Sequence, residues 1–393
     1  MERNDIFNMK KLLKNIIINL MPDYKSIINR QGKSVLFSYI NDGYWLKKGS
    51  KKLLTHGNKL ESLVIKNIFN EFGFNFYSIR YDKKIDVKKY RKVNPKIIFG
   101  IEPNFEKLCR AYPDAIKIYY ATGAYVEHQN NMVKIRTDYV NNKKQCNIPY
   151  YRMVPENNAA KLADYIIQIG SGYTIETYPK KLRNKIILIR QSSFEFLNLD
   201  IEEKKKVFDK KSYLWFGSNG SILKGLDLVL DYFKKNKNLY LHIIGSIDKE
   251  FKKVYEKELF YTQNIIYHGY IPIYDPQIVE IANKCSFIIY PSVSEGGIPG
   301  SVINMMRLGI IPITGIYASS KDIEKYGYIL KNTKLTSIDN MIQETQKISD
   351  DNLIYKFKAC SEYSKNNYNL KVFESDFKSS LNEVLEFSRE EVL

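Results

Sequence analysis

The chain has 393 residues and a formal net charge of +18, with 44% hydrophobic residues, a length that accommodates two domains of ordinary size. Four widely scattered cysteines (Cys109, Cys146, Cys285, Cys360) form no C-x-x-C pair and read as reduced core thiols, and four histidines show no metal-ligand spacing, so no structural zinc is implied. No apolar run approaches the roughly 20 residues that cross a bilayer, and no apolar N-terminal core precedes a small-residue cleavage site, so the expectation is a cytosolic protein that neither spans a membrane nor is secreted.

The charge is uneven. Residues 1–200 hold 35 basic against 18 acidic side chains, and residues 201–393 hold 26 against 25. A basic half beside a neutral one suggests an anionic partner such as a membrane surface, a phosphate-linked lipid or nucleic acid; solvated lysines are the plain alternative. At the start of that half, residues 7–29 set Leu12, Leu13, Ile16, Ile17 and Leu20 on one helical face with Lys10, Lys11 and Lys14 beside it. The pattern predicts a short basic amphipathic helix ended by Pro22, able to lie in a membrane interface or to dock on the first domain.

From Lys33 apolar runs recur at Val35–Ile40, Phe74–Ile79, Ile97–Ile101, Ile116–Ala121, Tyr165–Ile169 and Ile186–Ile189, with helical periodicity between them, as in Glu61–Glu71 with Leu63, Val64, Ile68 and Phe69 on one face. This alternation predicts a doubly wound α/β domain. Loops around Gly43, His56 and Gly123, with His128 four residues beyond Ala124, fall at the ends of its elements. Residues 191–211 are polar and charged and form the linker candidate. A second set of runs follows at Tyr213–Phe216, Leu239–Ile244, Ile265–Tyr267, Phe287–Tyr290, Ile310–Ile313 and Gly327–Leu330, each spaced for one strand and one helix.

Two loops of this second set carry chemistry. In Tyr290–Thr314, an apolar run ends at Pro291-Ser292, and Glu295, Gly296 and Gly297 lead into a helical segment. Ligands of parallel sheets bind beyond the carboxyl ends of strands, at helix N-termini. Gly296 and Gly297 permit close backbone approach, the N–H groups of Ser301 and Val302 can hold a phosphate, and Glu295 can accept from two sugar hydroxyls. A nucleotide sugar fits that combination. The other loop, Phe216–Asp227, places Lys224 next to a helix start, suited to neutralising a leaving diphosphate.

Together these loops resemble the donor-site signature of retaining GT-B glycosyltransferases of the family 4 (glycosyl transferases group 1) type. The residues that match are Pro291, Ser292, Glu295, Gly296, Pro299, Met306, Gly309 and Pro312, and in the earlier loop Lys224, Gly225 and Asp227. Two positions depart: Asn304 stands where the family carries a second Glu that binds the ribose, nine rather than eight residues after Glu295, and Ser218 stands where it carries an Arg that reaches the diphosphate beside the Lys.

The resemblance implies two Rossmann-like doubly wound parallel-sheet domains, 1–200 for the acceptor and 201–393 for the donor, with a cleft between them and C-terminal helices returning to the first domain. It implies transfer of a hexose-type sugar from a nucleotide diphosphate sugar to a glycan or lipid-linked acceptor in surface polysaccharide assembly, metal-independent and without a cofactor. Glu295 and Lys224 would be catalytic; Gly217, Ser218, Gly296, Gly297, Ser301, Val302 and Asn304 would hold the donor. Gly43, His56, Gly123 and His128 would lie on the acceptor side. No second protein carboxylate is expected to act as base or nucleophile, so catalysis would rest on positioning and electrostatics. The location implied is cytoplasmic, with peripheral attachment to the inner membrane face. A basic nucleic-acid-binding protein is the alternative from another class; no nucleic-acid-binding motif accompanies the charge, and both loops would go unexplained. A hydrolase or epimerase of nucleotide sugars is the other.

Overall fold

The computed structural model describes residues 18–390. Lys10, Lys11 and Lys14, with most of the expected basic helix, lie outside them.

The apolar runs of the first half form a seven-stranded sheet from β1 (Tyr24–Ser26), β2 (Ser34–Tyr39), β3 (Asn75–Arg80), β4 (Ile97–Gly100), β5 (Ile116–Ala121), β6 (Tyr165–Ile169) and β7 (Ile186–Ile189). The order is β1-β3-β2-β4-β5-β6-β7, parallel except for β1, an antiparallel edge strand on β3. Every residue of β2 is buried, as expected where helices cover both faces of a parallel sheet. β1 has three residues and no apolar alternation, so periodicity does not reveal it. The Gly57–Glu71 helix starts four residues earlier than its apolar pattern suggests and is capped by His56, whose ring accepts from the Asn58 N–H. Its buried face is Glu61, Ile65, Ile68 and Phe69, while Leu63 and Val64 are half-buried.

The second sheet joins β8 (Asp209–Phe216), β9 (Tyr240–Ile244), β10 (Ile265–Gly269), β11 (Cys285–Tyr290), β12 (Ile311–Gly315) and β13 (Tyr328–Leu330) in the order β10-β9-β8-β11-β12-β13, all parallel. The charged stretch before it is not all linker. Residues 201–207 form a helix, and its Lys204 is fully buried, donating from Nζ to the carbonyls of Ala282 at 2.6 Å and Cys285 at 2.8 Å.

The chain crosses between the domains twice, and the crossings touch. Ser193 of the first donates its N–H to the Tyr368 carbonyl of the second at 3.0 Å. After Tyr368 the Leu370–Glu390 helix runs onto the first sheet, burying Phe373, Phe377, Leu381 and Val384 in that sheet's core; these positions make one stripe of a helix. Arg190 closes the seam by pairing with Asp376 at 2.7 Å. A further link comes from the Val126–Lys144 helix. It belongs to the first half by sequence, yet Val140, and Ile148 beyond its end, sit in the second domain's core. Arg136 pairs with Asp227 at 2.6 Å, Lys143 with Asp231 at 2.7 Å and Lys144 with Glu258 at 3.4 Å.

Candidate active site between the domains

In the second sheet the strand order reverses between β8 and β11, the position where doubly wound sheets open a crevice. Both loops singled out in the sequence leave from those two strands. Gly225 lies at φ +73°, and a Cβ there would sit 2.5 Å from Pro291 Cγ, so this glycine lets the two loops lie against each other. The cleft that results measures about 610 Å³, within the range of small-molecule sites.

Its second-domain wall carries Gly217, Ser218, Lys224, Glu295, Gly296, Gly297, Ser301 and Asn304. Lys224 is buried, and its Nζ donates to Ser218 Oγ at 2.9 Å and to the Ser218 carbonyl at 3.3 Å. Desolvation pulls its pKa down to about 8, with Glu295 acting in the opposite sense and Arg152 reinforcing the fall. Asp248 holds the loop ahead of it by accepting from the N–H groups of Gly220 at 2.9 Å and Ser221 at 2.7 Å. Glu295 Oε1 accepts from Ser292 Oγ at 3.1 Å and from the Tyr290 hydroxyl at 3.3 Å. The Gly300–Arg307 helix begins at the cleft with Pro299 as N-cap and no side-chain cap bond. Such a helix start leaves N–H groups without intrahelical partners beside a partial positive charge. Ser301 lines the cleft, whereas the Val302 side chain is fully buried beneath it. Asn304 is engaged at both ends: Nδ2 donates to the Gly300 carbonyl at 2.7 Å and Oδ1 accepts from the Phe194 N–H at 2.8 Å.

The glycine pair is confined by protein as well. A Cβ on Gly296 would lie 2.7 Å from the Thr122 carbonyl oxygen, and one on Gly297, at φ +79°, would lie 2.8 Å from Gly170 Cα. These glycines set how closely the 295–300 loop meets the first domain.

On the first-domain wall, His56 lines the cleft and stands within electrostatic reach of Lys224. Gly43 and Gly123 are not among the lining residues, although Thr122 is. His128 also lies away from the cleft. Its Nε2 meets the Val293 carbonyl at 3.1 Å and its ring packs edge-on against Tyr317, so it joins the domains, and burial lowers its pKa. A second carboxylate, Glu61, also lines the cleft. Burial pushes its pKa up to about 7, against the pull of Ser192, whose N–H and hydroxyl donate to Oε1 at 2.7 and 2.9 Å. Its geometry ties the first crossing segment to the first-domain wall.

Among the described residues, no group of three or more His, Cys, Asp or Glu side chains is placed to hold a metal ion, and no helix is long and apolar enough to cross a membrane. Residues 199–369 match the family model for glycosyl transferases group 1. No curated protein matches the chain. Among solved structures, a glycosyltransferase from Rickettsia africae superposes with a TM-score of 0.54 at 14% identity, covering 90% of this chain and 99% of that one. Anabaena Alr3699/HepE in complex with UDP gives 0.56 at 10% identity over 89% and 100% of the two chains. The lipopolysaccharide outer core galactosyltransferase WaaB gives 0.53 at 12% identity over 91% and 99%.

The fold is GT-B.

In this GT-B chain both departures noted in the sequence have structural counterparts. Ser218 accepts from Lys224, and Asn304 binds the crossing segment. Motif reading passed over Arg152 and Glu61, which line the cleft from the first domain, and Asp248 behind it. For Glu61 the sequence did carry a hint, a carboxylate on the same helical stripe as Ile65, Ile68 and Phe69. Arg152 sits in a loop with no periodicity at all. Asp227 of the K-G-x-D match is turned to Arg136 and away from the cleft lining.

Proposed function

We propose that the protein is a glycosyltransferase that moves a hexose-type sugar from a nucleotide diphosphate sugar to a glycan or lipid-linked acceptor, with retention and without a metal, in surface polysaccharide assembly at the cytoplasmic membrane face. The observation that carries this reading is the convergence of Lys224, Glu295 and the Gly300–Arg307 helix start on one interdomain cleft at the strand-order reversal. The match to glycosyl transferases group 1 over residues 199–369 supports it, as does the UDP bound by the similarly folded Anabaena protein.

Glu295 would hold sugar hydroxyls while Lys224 and the helix N–H groups take up the charge of the departing diphosphate. Those contacts strengthen as the bond breaks, which is what lowers a barrier. The bond from the anomeric carbon to the diphosphate oxygen breaks, the acceptor oxygen bonds that carbon on the same face, and the acceptor proton passes to the leaving phosphate. The nucleic-acid-binding alternative leaves the convergence of the two loops on the cleft unexplained.

The test is to offer UDP-, GDP- and ADP-sugars with and without lipid-linked and free glycan acceptors, and to follow nucleotide release and the anomeric configuration of the product. Release that requires the acceptor is expected. Equal release without any acceptor would make the protein a hydrolase, and inversion would remove the retaining assignment.

A further inference from the structure

Among the described residues lining the cleft, Lys224 is the one Lys or Arg from the second domain, and Arg152 is the one from the first half of the chain. A diphosphate spreads its charge over two phosphoryl groups, for which a single ammonium is a point partner and a guanidinium fork a geometric one. Arg152 is an exposed residue at φ +72°, a left-handed backbone that a non-glycine residue keeps where its surroundings hold it. Those surroundings are specific. The Arg152 carbonyl accepts from Gln129 Nε2 at 3.0 Å, and Oε1 of the same buried amide accepts from Ser294 Oγ at 2.6 Å. One side chain therefore couples Arg152 to the residue just ahead of Glu295. The arginine stem runs over the 217–221 loop, where a Cβ on Gly220 would lie 2.6 Å from its Cγ. Its charge acts on both Lys224 and Tyr290. The guanidinium itself makes no hydrogen bond or ion pair with the described residues.

We propose that Arg152 binds the diphosphate of the donor, supplying from the first domain the second cation that Ser218 does not provide. The inference rests on the reading of the cleft as a nucleotide-sugar site. It makes the diphosphate site a joint product of both halves of the chain, since Arg152 comes from the first half yet its stem lies on the 217–221 loop that leads to Lys224.

Calorimetric titration of the full chain with UDP, GDP, ADP and inorganic pyrophosphate tests it. Arg152→Met should weaken the tightest of these by about 10- to 100-fold, the worth of a charge-assisted hydrogen bond, and should flatten the salt dependence. Arg152→Lys should lose less. Adding Ser218→Arg to Arg152→Met should recover most of the loss, because the new cation stands beside Lys224. An Arg152→Met protein with the wild-type melting temperature and wild-type diphosphate affinity overturns the inference and leaves the donor site intact. A loss confined to the acceptor KM also overturns it, assigning Arg152 to an anionic acceptor. A wild-type chain that binds none of the four probes overturns the donor-site reading itself.

Discussion

Lys224 shows how one side chain is tuned by the loop that carries it. Burial in the cleft wall brings its pKa down to about 8, so it is charged below that pH and neutral above it. An anion needs the charged form, and binding one raises the pKa again. Affinity for a nucleoside diphosphate should therefore fall as pH rises from about 7 to about 9, and binding near pH 8 should take up protons, seen as a calorimetric heat that varies with the ionisation enthalpy of the buffer. Lys224→Ala should abolish both effects and lower turnover about a hundredfold, the cost of losing a charged transition-state contact. A flat affinity profile across that range, or wild-type turnover in the variant, would remove Lys224 from the diphosphate site. Asn304 contrasts with it. Its amide is engaged by Gly300 and Phe194, which leaves one N–H and one lone pair for a ribose.

Among the elements, the Val126–Lys144 helix holds the two domains in register. Arg136 and Asp227 are both buried, with 2.6 Å between Nη2 and Oδ2. Removing one partner of such a pair costs about 3–5 kcal/mol, because the other charge stays buried, whereas replacing both by apolar groups can be close to neutral. Arg136→Met should thus lower the unfolding free energy by that amount in denaturant titration, and Arg136→Met with Asp227→Leu should recover most of it. A single variant as stable as the parent would show that the pair carries no net load. This helix also marks where sequence reading ends. All twelve strands inferred from apolar runs form, with ends shifted by a few residues, because a strand covered on both faces must be apolar along its length. Helix packing across the domains leaves no such trace: Val126–Lys144 is mostly polar, and its ion-pair partners lie 88 to 114 residues away. The two cleft-lining loops of the second domain were legible because their glycines, Lys224 and Glu295 stand out as residue types with a chemical use at strand ends. The first-domain residues were read by position alone; of Gly43, His56, Gly123 and His128, His56 lines the cleft and the other three do not.

For the whole molecule, the question is what the basic excess of the first half does. Pairing across the domains uses Arg136, Lys143 and Lys144, three of the 35 basic residues before position 201. Most of the excess is left over. Part of it is concentrated where an acceptor would arrive: Lys47, Lys48, Lys51 and Lys52 are exposed on the segment between Trp45, itself 51% exposed, and His56 at the cleft. Lys51 reaches across to lie 5.7 Å from the ring centre of Tyr274 in the second domain. A lipid-linked acceptor would bring an anionic membrane to that lip, and each basic residue near such a surface contributes about 1 kcal/mol of attraction. The protein should therefore sediment with vesicles in proportion to their anionic lipid content, and far less at about 0.5 M than at about 0.05 M salt, where screening is weaker. Replacing Lys47, Lys48, Lys51 and Lys52 by Gln should weaken vesicle binding while leaving the melting temperature unchanged, and so should replacing Lys10, Lys11 and Lys14. Binding that ignores lipid charge and salt, or no binding, would leave the lysines as solvated surface and point to a soluble acceptor.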